Sequence, residues 1–150
     1  MIKKMGNYKD KFSVIDANRV ENAISAAEKQ TSGELRVHID TKCKADVMDR
    51  TAALFAALKM HKTEARNGVL LYLAVSDRKF AVIGDIGINE KVDDVFWQST
   101  YDAALPHFKS DDFNTGLCSA IEACGNALSE HFPYQANDVD ELDNGISWGL

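Results

Sequence analysis

RNGVLLYLAVSDRKFAVIGDIGIN, residues 66–89, is the stretch that decides the fold. It holds two apolar runs, residues 68–76 and 79–84, on either side of the polar turn Ser76-Asp77-Arg78-Lys79. Strands with one face in water alternate apolar and polar residues, whereas uninterrupted runs belong to strands covered on both faces. The spacing therefore predicts a hairpin in the middle of a sheet sandwiched between helices. The turn sends the chain straight back, which sets Asp85 beside Asn67, and Gly84 and Gly87 let the backbone bend closely there.

Working outward, Asp16 or Ser13 caps a first helix whose stripe is Val20, Ala23, Ile24 and Ala27. Leu35-Arg36-Val37-His38-Ile39 then runs with period two, so residues 34–40 are predicted as a strand although Thr31 and Glu34 have capping-box spacing. Asp46 opens a second helix carrying Val47, Leu54, Phe55 and Leu58. After the hairpin, a third helix carries Val92, Val95, Phe96 and Ala103 and is expected to stop near Pro106. A fourth follows Asp112 with Phe113, Leu117, Ile121, Cys124 and Leu128, ending before Pro133. The order α-β-α-β-β-α-α predicts an α/β chain folded as a three-layer α/β/α sandwich with a small mixed sheet, Rossmann-like. Strands 34–40 and 68–76, joined by a helix, are expected to be parallel and connected right-handedly, with 79–84 antiparallel to them. The organisation reads as a lead-in (1–16), one domain (17–133) and an acidic tail (134–150) anchored by Leu142, Ile146 and Trp148.

The 150 residues suffice for one full core, and 45% hydrophobic with 27% charged residues is ordinary for a soluble globule. A net charge of −6 argues against nucleic-acid or anionic-membrane partners, which are held by clustered Lys and Arg. No apolar stretch reaches the roughly 18 residues of a spanning helix. Residues 1–8 carry lysines without an apolar run behind them, so no secretory signal is expected. Cys43, Cys118 and Cys124 are odd in number and lack CxxC spacing, which fits unpaired thiols in a reducing compartment. A cytoplasmic monomer is expected.

Glu34, Asn67 and Asp85 are predicted to fall at one edge of the sheet. The loop 108–112 is expected to bring Asp111 and Asp112 to it, giving an oxygen-rich site for Ca²⁺ or Mg²⁺. The alternative is that Asp85 caps a turn and Asp111 or Asp112 caps the fourth helix. Arg66 and Lys109 are candidate phosphate contacts near such an ion. Asp85-Ile86-Gly87 and Asp138-Val139-Asp140 both fail the EF-hand pattern, and His38, His61, His107 and His131 lack zinc spacing, reading as surface or strand residues. Neither a GxSxG elbow nor a GxxxxGK[ST] phosphate loop occurs, and no catalytic residue is assigned.

Thr31-Ser32-Gly33-Glu34, Asn67-Gly68-Val69-Leu70-Leu71, Asp77-Arg78-Lys79, Gly84-Asp85-Ile86-Gly87 and the run 108–117 (FKSDDFNTGL) together resemble the TPM domain family over about residues 17–131. The resemblance implies an α/β/α sandwich that binds divalent cations, Ca²⁺ in particular. Acid-phosphatase activity is attributed to plant thylakoid members, while others are membrane-tethered bacterial proteins or receptor accessory subunits. The chain looks like a stand-alone member without signal, anchor or glycine-rich tail. The functions expected are cation binding, metal-assisted hydrolysis of phosphate monoesters, or a non-catalytic partner-binding domain.

Overall fold

The computed structural model describes residues 12–135 and 145–149. Helix α1 (Ala17–Glu28) starts where the Asp16 carboxylate accepts from Arg19 N, and it buries Val20, Ile24 and Ala27. Strand β1 (Glu34–Asp40) follows, then α2 (Val47–Ala57), capped by Asp46 through Met48 N and Asp49 N. The hairpin is β2 (Gly68–Ala74) and β3 (Lys79–Gly84). Three helices come next: the short α3 (Ile86–Asn89), α4 (Asp94–Lys109) and α5 (Phe113–His131). A two-residue strand, β4 (Ser147–Trp148), closes the described chain.

The sheet order is β3-β2-β1-β4, with β1 parallel to both β2 and β4 and β3 antiparallel to β2. Every residue of β2 is buried, as its uninterrupted apolar run requires. Its two faces look into different layers. Val69, Leu71 and Leu73 join Leu35, Val37 and Ile39 of β1 in the main core with α1, α4 and α5. Leu70, Tyr72 and Ala74 pack on the other side against Leu54 and Phe55 of α2 and Leu58 at its end. The α/β/α sandwich and its mixed sheet are those the sequence predicts.

Three local expectations are corrected. Helix α4 continues through Pro106 to Lys109. Phe108, two residues past the proline, is buried with its ring 4.9 Å from Phe80 and 6.2 Å from Phe113, so core packing carries the helix past a residue that lacks a donor. The strand expected to reach residue 76 ends at Ala74, because residues 75–78 form the turn. In the tail, Ile146 is buried and Trp148 docks with its ring 4.9 Å from Phe12, but as part of a strand on β1. The predicted Leu142 anchor lies outside the described residues.

Candidate functional site

The amino end of β1 and β2 is where the sequence places its ligands. Glu34 N donates to Asn67 O (3.2 Å) and Asp85 N to Gly68 O (3.0 Å), so the main chains at Glu34, Asn67 and Asp85 lie side by side at that edge. All three are buried, at 4%, 2% and 4% exposure. Their chemistry differs. Asp85 is neutralised by Arg66, whose Nε and Nη2 donate to its two oxygens at 2.7 and 2.9 Å, and it also accepts from Ile86 N as the cap of α3. Bidentate geometry of this kind is among the stronger protein ion pairs. Asn67 Nδ2 donates to Ser32 O, whereas Asn67 Oδ1 is buried with no hydrogen-bond donor in reach among the described residues.

Asp111 and Asp112 are not at this edge. Helix α4 starts near the Asp85 end and its 16 residues span about 24 Å, so the loop after it arrives at the opposite end of the sheet. There Asp111 pairs with Arg78 of the β2–β3 turn at 2.6 and 3.1 Å, and Asp112 caps α5 by accepting from Thr115 N. Seven residues of β2 put roughly 23 Å between the two ends. The five predicted ligands therefore cannot share one ion. Arg66 and Lys109 are likewise separated, so they do not form one phosphate contact. Among the described residues, no three His, Cys, Asp or Glu side chains gather as a metal-holding group.

A second constellation lies on the α2 face of β1, where alternation sends Arg36, His38 and Asp40. The Asp40 carboxylate accepts from Tyr72 Oη (2.6 Å) and from Arg50 Nε (3.0 Å), and sits 2.9 Å from His38 Nε2. His38 Nδ1 is 2.8 Å from Ser147 Oγ, its register partner on β4. An ionised Asp40 only accepts, so His38 carries its proton on Nε2 and Nδ1 accepts from the Ser147 hydroxyl. Burial lowers the His38 pKa against the opposing pull of Asp40, which keeps the ring neutral at neutral pH. Burial also pushes Asp40 upward, but hydrogen bonds from Arg50, Tyr72 and His38 outweigh it and hold the carboxyl below its usual range. Burial, then the bond to Asp40, raises the Tyr72 pKa, so its hydroxyl stays protonated.

Beside this network, at the carboxyl end of β1, opens a cleft of ≈ 540 Å³ whose walls include Asp40, Lys42, Lys44, Arg50 and Gly149. Open parallel sheets bind ligands in such a position. The sequence carries the signal for half of it, the period-two polar residues His38 and Asp40. Ser147 lies 109 residues from His38 and has no local mark.

The network makes a pH prediction. His38 has a folded pKa below its unfolded one, so its stabilising contribution is complete above about pH 6.5 and is lost as pH falls. Asp40, also depressed, loses its contribution only below the ordinary carboxylate range. Thermal melts should decline in two stages on acidification, and His38→Gln should remove the first stage, which begins as pH falls below about 6.5.

Set against known proteins, residues 7–127 match the TPM domain, and the chain belongs to that family. It is 46% identical to the BA42 protein of the psychrophilic bacterium Bizionia argentinensis, solved by NMR, with a TM-score of 0.84 over 89% of this chain and 92% of that one. The N-terminal domain of a P. gingivalis protein shares the fold at 19% identity (TM-score 0.66, 83% of each chain). An N-terminal domain from Corynebacterium glutamicum does so at 14% (TM-score 0.62, 83% of this chain, 77% of that one). No curated protein matches. Among the described residues, no helix is long and apolar enough to cross a membrane.

Proposed function

We propose that this TPM domain binds a divalent cation, Ca²⁺ or Mg²⁺, at the amino end of the sheet. Glu34 and Asn67 would supply side-chain oxygens, and main-chain carbonyls and water the remainder of the shell. The observation that carries this reading is Asn67 Oδ1, a buried acceptor with no donor in reach among the described residues. Such an atom loses its water on folding and regains a partner when an ion or a bound water occupies the position. Asp85 is a poorer ligand because Arg66 already holds both of its oxygens. With two committed side-chain ligands, affinity falls in the weak class, a Kd of about 10⁻⁴–10⁻³ M. Calorimetric titration of the EDTA-stripped protein should show Ca²⁺ binding that Asn67→Ala weakens at least tenfold. Asp112→Ala should leave the affinity unchanged, costing only about 1 kcal/mol of helix-cap stability. The opposite pattern would move the ion to the far end of the sheet.

A phosphatase reading has its support in the other end. Lys42 and Lys44 line the cleft and could hold a phosphate monoester, whereas Arg50 and Arg66 are engaged by Asp40 and Asp85. Metal-dependent turnover of a generic phosphate monoester that survives Asn67→Ala but not Lys42→Met or Lys44→Met would favour it. Three free cysteines, two of them buried, agree with a reducing compartment such as the cytoplasm.

A further inference from the structure

We propose that Ser147, His38 and Asp40 form a nucleophile–base–carboxylate relay that cleaves small carboxylic esters bearing an anionic group. It stands apart from the cation site, at the other end of β1. Three observations carry it. The relay is complete: Ser147 Oγ is 2.8 Å from His38 Nδ1 and His38 Nε2 is 2.9 Å from Asp40 Oδ1, the distances at which a base takes a hydroxyl proton and a carboxylate orients that base. Asp40 is itself immobilised by Tyr72 and Arg50, so the imidazole is held in the tautomer that leaves Nδ1 free to accept. Finally, Ser147 is only half-buried, and Gly149, two residues on, forms a wall of the ≈ 540 Å³ cleft with Lys42, Lys44 and Arg50. The cations of that wall would favour an ester that carries an anionic group.

The chemistry balances without an oxidant or a further reactant. Ser147 Oγ forms a bond to the ester carbonyl carbon while its proton passes to His38 Nδ1. The resulting imidazolium, charged on the ring that faces Asp40, Arg50 and Arg36, is stabilised by Asp40 and opposed by the two arginines. The ester C–O bond then breaks and the departing alkoxide takes the proton from Nδ1, leaving as an alcohol. Water attacks the acylated Ser147, gives a proton through His38 back to Oγ, and releases the carboxylic acid.

The same hydrogen bonds would also serve a role as a latch that fastens β4 to β1, and reactivity separates the two. The test is a fluorophosphonate probe applied to the full chain, with the adduct located by peptide mass spectrometry. The relay requires an adduct at Ser147 that is absent from Ser147→Ala and forms at least about 100-fold more slowly in His38→Gln. It also requires the labelling rate of the unaltered chain to fall as pH drops from 8 to 5, a readout that does not depend on either variant folding. Absence of an adduct, an adduct elsewhere, or a pH-independent rate would overturn the relay and leave Ser147 as the latch.

Discussion

Replacing Asp40 by alanine is expected to destabilise the fold by about 3–5 kcal/mol, the range for removing one member of a buried charged network. The loss comes less from the missing carboxylate than from the groups it leaves behind. Tyr72 is fully buried, and its hydroxyl donates to Asp40 Oδ2. His38 is 4% exposed, with Nε2 on Asp40. Each stranded donor costs about 1–3 kcal/mol. Arg50 contributes little, because its side chain is 39% exposed and can turn to water. Asp40→Asn keeps acceptor capacity toward Tyr72 and should cost clearly less than Asp40→Ala. Urea denaturation at pH 7.5 measures both, and an Asp40→Ala cost under about 1 kcal/mol would mean that water reaches the network.

The pattern of success along the chain follows the range over which each signal acts. The hairpin is written in twenty-odd consecutive residues, and the antiparallel return of the chain forces Asp85 next to Gly68 whatever the rest of the molecule does. Helix starts at Asp16, Asp46 and Asp112 are local as well, since a cap bonds to an amide two or three residues on. Ligand convergence is not local. The loop 108–112 misses the Asn67 edge because α4 runs the length of the sheet, and Pro106 would truncate that helix only if Phe108 were denied its place in the core. Which cation meets Asp85 is set by Arg66, a left-handed residue (φ 52°) whose backbone shape composition does not reveal. Ser147 belongs to a strand of two residues, too short for any periodicity, and its only structural reason is the partner that β1 offers it.

Gly87→Ala is expected to be the most damaging change at the amino end, at about 3 kcal/mol, because the new Cβ meets backbone that cannot step aside. It would stand 2.2 Å from Ala65 O and 2.6 Å from Arg66 O. The glycine has ordinary φ, so the demand is for space and not for a left-handed backbone. Its own amide donates to Arg66 O at 2.9 Å, which draws the two segments together. Arg66 is fixed further by its amide on Thr63 O and its guanidinium on Asp85, and Asn67 by its amide on Thr63 Oγ1. Relief therefore means breaking several of these bonds at once, which places the cost at the upper end of overpacking changes. Gly33→Ala is the control: its Cβ would meet the tip of Leu128, Cδ1 at 3.1 Å, and a leucine terminus can rotate away. Denaturation should separate the two by about 2 kcal/mol or more. Because the displaced segment ends in Asn67, the Gly87 variant should also lose Ca²⁺ affinity while Gly33→Ala keeps it, and equal affinities would dissociate the ion from the Arg66–Asn67 backbone.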